Sequence, residues 1–404
     1  MKRIIKAADF VFFILCFLFF TIIFTGEFLF PDNVIFYDGQ ESVKIMSVFT
    51  AEKTVSDSQA LQTESAKISL FGIMPVATVS AKATDRKYVY VGGELIGIRL
   101  YTDGILVIGL ETVDTSEGDV SPGKDAGIEK GDIITEVNGK TIKSVSQFSS
   151  MIYSSDGKKM NVKVYRNDKY INIVLNPVMS VSERKYRCGL WLRDSTAGIG
   201  TMTFADPEEK IIASLGHAIC DSETGAMLPV GDGDILSAVF NGCIAGTKGV
   251  TGQIKGSFGS LTLGKLCENN DYGVYATYTD IKFDDKNLYP VASQTEIKTG
   301  GAQIISTVTT DGPEFYDIEI EKITYSREKA VRSMVIKVTD DDLIESAGGI
   351  IQGMSGSPII QNGMFVGAVT HVFLNDPTRG YAIFAETMIE TGQSVSETNL
   401  KKAS

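Results

Sequence analysis

The chain has 404 residues, 43% of them hydrophobic and 22% charged, with a formal net charge of -12. That is long enough for two or three domains with proper cores, and the acidic balance excludes a nucleic-acid partner, whose phosphates call for a basic face. Forty glycines among many Val, Ile and Thr predict a mainly β protein of short strands joined by turns.

At the start, Lys2, Arg3 and Lys6 precede an uncharged and almost wholly apolar run over residues 10–25. Such a run in a helix spans about 24 Å, and Ile4, Ile5 and Phe28 extend it toward the roughly 30 Å of a hydrocarbon core. The stretch before Pro31 lacks the small-x-small site of a cleaved signal peptide. The expectation is a cytoplasmic leader and uncleaved anchor over residues 1–30, a transmembrane helix with everything downstream exported. Residues 31–90 read as a linker with short strands at 42–50 and 67–80, and no chemistry shows there.

The character changes at Leu95-Ile96-Gly97-Ile98-Arg99-Leu100 and again at Ser121-Pro122-Gly123-Lys124-Asp125-Ala126-Gly127-Ile128-Glu129-Lys130-Gly131-Asp132-Ile133-Ile134-Thr135-Glu136-Val137-Asn138-Gly139. Ala126 and Gly127 end a short helix, Gly131-Asp132 turns, and Ile133, Ile134 and Val137 supply a buried strand. Asn138-Gly139 then reads as a hairpin turn with positive φ, residues 145–153 as a helix and 160–175 as closing strands. This region, 91–178, resembles a PDZ domain of the bacterial protease type. In such α+β domains a peptide adds as a strand beside a carboxylate-binding loop. The resemblance puts that loop at Leu95, Ile96, Gly97 and Ile98, whose amides would hold a bound peptide or a partner's C-terminus.

The chemistry lies further on, in Gly353-Met354-Ser355-Gly356-Ser357-Pro358. Glycines on both sides let the backbone turn tightly and present a hydroxyl together with amide N–H groups. That suits Ser355 as a nucleophile, with an oxyanion hole built from the backbone N–H of Gly353 and Ser355. A serine needs a base, and the chain offers two histidines, His217 and His371. His217 follows the strand-like Ile211-Ile212 and precedes the serine, the order a chymotrypsin-like fold requires. His371 lies beyond a hairpin at Gln361-Asn362-Gly363 and is assigned to the specificity pocket, where it would favour a polar or acidic residue before the scissile bond, or to structure alone.

Gly216-His217-Ala218-Ile219-Cys220-Asp221, the run from Gly348 through Gly363 and the run from Gly367 through Tyr381 are similar to the stage IV sporulation protein B peptidase family. With the apolar start and the PDZ-like region, the resemblance covers almost the whole chain. It implies a chymotrypsin-like double β-barrel over 183–404 and a serine endopeptidase needing no cofactor. It also implies a catalytic His217, Asp340 and Ser355, with Asp340 fixing the imidazole tautomer. Read from the residues alone, Asp341, Asp342, Asp221 and Asp234 stay open as the acid, and three consecutive aspartates also suit a helix cap.

The same resemblance implies a membrane-tethered enzyme in the forespore intermembrane space. There it would cleave a membrane-bound regulator, and itself, to trigger processing of the sigma-K precursor. A catalytically silent PDZ scaffold and a general exported quality-control protease are the alternatives. Cys188, Cys220, Cys243 and Cys267 lack the close pairs of a zinc site, so no metal is expected; buried thiols are favoured over two disulfides.

Overall fold

The computed structural model describes residues 30–37, 39–45, 48–54, 64–279, 281–325 and 327–403. All of the expected anchor but Phe30 lies outside them. Among the described residues no helix is long and apolar enough to cross a membrane.

The stretch read as a linker is a folded sheet. Its strands are β1 (Asn33–Tyr37), β2 (Ser42–Ile45), β3 (Phe49–Thr54), β4 (Ser65–Leu70) and β5 (Met74–Thr84), in the order β1-β5-β4-β3-β2. Period-two alternation turns Val34, Phe36, Ile45, Phe49, Ala51 and Ile68 into one small core. Tyr37 docks this sheet on the body of the protein. The Arg86 guanidinium sits 4.1 Å over its ring and grips Glu296 with two bonds of 2.8 and 2.9 Å.

Two barrels and an inserted module make up that body. β6 (Tyr88–Val91) leads into β7 (Leu95–Leu110), a strand shared by two domains. Ile96, Ile98 and Leu100 are buried in the first barrel, whereas Ile105 and Val107 are buried in the module. The module continues with β8 (Val113–Thr115), β9 (Gly118–Val120), α1 (Pro122–Asp125), β10 (Ile133–Val137), β11 (Lys140–Thr141), α2 (Val145–Tyr153), β12 (Met160–Arg166), β13 (Lys169–Leu175), β14 (Val178–Met179) and β15 (Tyr186–Arg187). Asn138 (φ 50) and Gly139 (φ 76) turn β10 back into β11 as the Asn-Gly pair predicts. Asp132 of the Gly-Asp turn is buried and takes two bonds from Arg166, at 2.6 and 2.7 Å.

β16 (Leu190–Asp206) then returns alongside β7, leaving the module by Arg193 and re-entering the barrel by Ser195. It is followed by β17 (Ile211–Ser214), β18 (Val230–Ile244), β19 (Gln253–Asn270) and β20 (Gly273–Thr277). Because β7 pairs with both β16 and β18, these strands close into a six-stranded ring. A short β21 (Leu288–Pro290) precedes the second barrel. That barrel is built from β22 (Gly300–Thr309), β23 (Gly312–Ile323), β24 (Met334–Val338), β25 (Pro358–Gln361), β26 (Met364–Phe373) and β27 (Asp376–Phe384), and is closed in the order β22-β23-β24-β27-β26-β25. α3 (Asp341–Ala347) lies between β24 and β25.

The double barrel implied by the resemblance is therefore present, but its limits differ from those expected. The first barrel begins before the module, near residue 88 rather than 183, and the module is an insertion running from about Gly104 to Asp194. α4 (Ala385–Ala403) ties the two barrels together. Its Met388, Ile389 and Val395 bury with Phe204 and Ile211 of the first and Phe365 and Ile383 of the second. Cys188, Cys220, Cys243 and Cys267 are free thiols, and burial pushes Cys188 up to about 12.

Candidate active site

The serine turn is held from the first barrel although it belongs to the second. Thr201 of β16 donates its N–H to the Ser355 carbonyl at 3.2 Å and its hydroxyl to the Gly353 carbonyl at 2.7 Å. From β19, Ile254 N–H donates to the Gln352 carbonyl at 2.8 Å, and Gln352 N–H returns to Gly252 at 2.9 Å. Gly353 (φ 100) and Gly356 (φ 94) occupy the left-handed region. A Cβ on Gly356 would also lie 2.4 Å from the Thr201 oxygen and 2.5 Å from the Leu215 nitrogen, so space and conformation both demand glycine.

Around this turn Met354, Gly356 and Ser357 donate their N–H groups to Ile351, Val369 and Met354. No carbonyl or side chain of the described residues takes the N–H of Gly353 or Ser355, the two donors expected to form an oxyanion hole.

His217 reaches the same place. Leu215 (φ 67) and Gly216 (φ 67) turn the chain off β17, and His217 then lines a cavity of about 410 Å³ with Ser355, Thr370 and His371, walled by Ile199, Leu215, Ile350 and Val372. The two imidazoles lie with centroids 4.8 Å apart. His217 Nδ1 meets the Ala218 carbonyl at 2.9 Å, which fixes the proton on Nδ1 and leaves the Nε2 lone pair free. Ser355 Oγ donates to the Thr370 carbonyl at 2.8 Å. The expected nucleophile and base thus share a cavity, while the serine hydrogen bond points to the main chain, a looseness common before substrate binds.

Burial holds His217 below the ordinary histidine value, against the pull of the Ala218 carbonyl. His371 is pushed down to about 4 by burial, then by His217 and by Arg332. With both imidazoles neutral at pH 7, the site holds a base rather than an acid.

Asp340 is not brought to this cavity. It is the N-cap of α3, accepting from Leu343 N–H at 3.0 Å and from Asp317 N–H at 3.2 Å. His371 pairs across β27 with Tyr381, which pairs with Val335 of β24. Asp340 lies five residues beyond Val335, about 16 Å further along the strand direction. The group that does meet His217 Nδ1 is the Ala218 carbonyl.

None of the open alternatives replaces Asp340. Asp341 and Asp342 form the first turn of α3, and Asp234 sits on β18 beside Lys265. Asp221 accepts from Glu223 N–H, Thr224 N–H and the Thr224 hydroxyl and pairs with Arg193.

Asparagine caps helices about as well as aspartate and alanine about 1 kcal/mol worse. Asp340→Asn is accordingly expected to keep kcat within about threefold, with Asp340→Ala losing that cap energy in urea unfolding. A fall near 10⁴ in kcat for the asparagine protein, as when a relay acid is removed, would restore Asp340 to the relay.

Two further residues hold the loop that follows His217. Asn269, at the end of β19, accepts from Ile219 N–H at 2.8 Å and donates to the Ile219 and Leu228 carbonyls at 2.9 and 2.8 Å. Arg193, at the module end of β16, pairs with Asp221. No sequence pattern marks either.

The expected carboxylate-binding loop is also elsewhere. Leu95, Ile96, Gly97 and Ile98 pair in register with Thr201, Gly200, Ile199 and Gly198 of β16. Leu95, Ile96 and Ile98 are buried, each no more than 4% exposed. Their main chain is engaged inside the first barrel, so they cannot capture a peptide terminus.

A serine and a neutral histidine on one cleft between two β-barrels, with a peptide-binding type of module in one barrel strand, define a PDZ-containing serine peptidase. Residues 184–389 match the family described as SpoIVB peptidase S55, and residues 113–166 match the PDZ domain. The chain belongs to the SpoIVB peptidase S55 family.

Solved structures give partial likenesses. The PDZ domain of the SdrC-like protein from Listeria monocytogenes is 24% identical, over 22% of this chain and 87% of that one, with a TM-score of 0.19. The HtrA-type protease AlgW with a decapeptide is 14% identical, over 51% of this chain and 55% of that one, at 0.31. AlgW with a tripeptide is 14% identical over 50% and 57%, also at 0.31. This chain thus spans little more than half the length of the AlgW chains.

Proposed function

We propose that Ser355 is the nucleophile and His217 its base in a membrane-tethered, exported endopeptidase. Its substrate is a membrane-bound regulator of sigma-K precursor processing, and it also cuts itself near its N-terminus. The observation that carries the chemistry is the shared cavity of Ser355 and His217 beside the two free N–H groups of Gly353 and Ser355. His217 Nε2 takes the Ser355 proton, Ser355 attacks the scissile carbonyl, and the oxyanion falls to the free amides. His217 then protonates the leaving amine. The sporulation role, forespore intermembrane location and anchoring rest on family membership and on the apolar start of the chain.

A silent scaffold draws support from one observation, the Ser355 hydroxyl bonded to Thr370 and not to His217. Labelling with a fluorophosphonate separates the readings. The wild-type protein is expected to label at Ser355 and Ser355→Ala to remain unlabelled. Sporulating cells carrying Ser355→Ala should accumulate unprocessed sigma-K precursor. An unlabelled wild-type protein would sink the enzyme reading, and normal processing in the variant would sink the signalling one.

A further inference from the structure

The sheet that precedes the barrels leaves its outer end bare. Its last strand, β5, leads through Arg86 into the body, while the β4–β5 turn, Phe71-Gly72-Ile73, lies at the opposite end. Phe71 is 71% exposed, Ile73 86%, and Met74 and Val48 39% each. Phe71 N–H donates to the Val48 carbonyl at 2.8 Å and Ile73 N–H to that of Leu70 at 3.1 Å, so the four form one apolar patch. Phe71 also holds a φ of 53, a left-handed conformation that glycine or asparagine adopts more readily. A bulky ring exposed on such backbone is a poor choice for folding alone and points to another use.

The chain enters this sheet at the same end. β1 runs parallel to β5 with Asn33 opposite Ser80, and β5 begins at Met74, about 20 Å further out. Phe30, ahead of β1, packs edge-on against Phe49 with ring centroids 4.9 Å apart. Phe49 in turn pairs with Leu70 at the base of the turn. The apolar run over residues 10–25 therefore joins the fold beside the patch.

Charge fits the same surface. Residues 68–81 hold no charged side chain, and Lys67 and Lys82 flank them. Within the sheet, the charged residue nearest the turn is the exposed Lys44, opposite Thr50, and the first carboxylate is Glu52, opposite Lys67. In a chain of net charge -12, an apolar end collared by lysines suits an anionic lipid surface.

We propose that this end of the sheet is a membrane-docking site, where Phe71 and Ile73 enter the lipid on the exported side and Lys44 and Lys67 meet its phosphates. The partner is an anionic phospholipid bilayer. The docking rests on the tether proposed above. An anchor alone leaves the body free to swing, and a second apolar contact about 5–10 Å deep fixes its orientation over the bilayer.

The test uses full-length protein in vesicles of phosphatidylcholine and phosphatidylglycerol, with acyl chains brominated or plain. Ser355→Ala keeps self-cleavage from removing the anchor. Trp191 is the single tryptophan, so Trp191→Phe gives a dark background for one reporter at a time. Phe71→Trp and Ile73→Trp should each emit further to the blue and lose about twofold or more of their emission to brominated chains. Phe17→Trp reports on the anchor. Quenching at Phe17→Trp with none at Phe71→Trp or Ile73→Trp overturns the docking and leaves the tether standing. No quenching at any of the three removes the tether, and the docking with it. A blue-shifted emission at the turn that bromine leaves untouched places protein on the patch, a second copy or another chain, and overturns the lipid assignment.

Discussion

His217→Gln is expected to lower kcat by about 10⁴-fold or more, the scale of losing the base of a serine hydrolase, while His371→Gln lowers it by no more than about tenfold. Both imidazoles line the cavity with Ser355, so proximity alone does not choose between them. The choice follows from orientation and basicity. His217 has its Nδ1 proton committed to Ala218 and Nε2 available, whereas no hydrogen bond among the described residues fixes the tautomer of His371. His371, pushed down to about 4, also binds a proton too weakly to take one from a serine near neutral pH.

The pH dependence follows the same logic. With His217 proposed as the neutral base and its pKa lowered by burial, kcat/KM should rise to half its plateau below pH 6.5. Stability moves in the same direction. An unfolded chain binds protons at both histidines below about 6.5 and the folded one does not, so folding loses stability as pH falls from there toward 4. Steady-state kinetics of the wild-type protein from pH 4 to 8 checks the first statement, and urea unfolding over the same range checks the second. A His371→Gln protein as inactive as His217→Gln would show the two rings acting as one unit.

The residues that carry chemistry were legible because their chemistry constrains their neighbours. Ser355 is marked by Gly353 and Gly356, and Gly356 is trapped between Thr201 and Leu215. The Asn-Gly pairs at 138–139 and 362–363 fix hairpins through positive φ. What stayed hidden depends on contacts between distant segments. β7 alternates at Ile96, Ile98 and Leu100 and then runs continuously apolar from Ile105 to Ile108, a change that does not by itself say that its halves serve different cores. Gly104, with φ 106 and its Cβ position 2.8 Å from the Ile134 oxygen, marks the crossing only once the fold is known. Asp340 stands in a run of three aspartates that suits a helix cap as well as a relay. The local pattern suits both roles, and in the fold Asp340 takes the N–H groups of Leu343 and Asp317.

Arg193 and Asp221 are twenty-eight residues apart in sequence, and the largest stability effect is expected from separating them. The Asp221 side chain is 0% exposed and that of Arg193 32%. Arg193→Ala strands a buried carboxylate, for which about 3 kcal/mol is expected in urea unfolding, at the low end because three donors from Glu223 and Thr224 remain. Asp221→Asn leaves a cation that can turn to water and should cost only about 1 kcal/mol. That asymmetry identifies Asp221 as the hub of the turn following His217. The neighbouring Asp194 accepts from Val145 N–H, the first residue of α2, at 2.7 Å, so adjacent residues of β16 hold the PDZ helix and the histidine loop. Arg193→Ala should therefore lower kcat more than KM at temperatures where the protein remains folded, with Arg193→Lys recovering part of the loss. Equal stability costs for the two single variants, or an unchanged kcat in folded Arg193→Ala, would show the pair to be a surface contact without influence on His217.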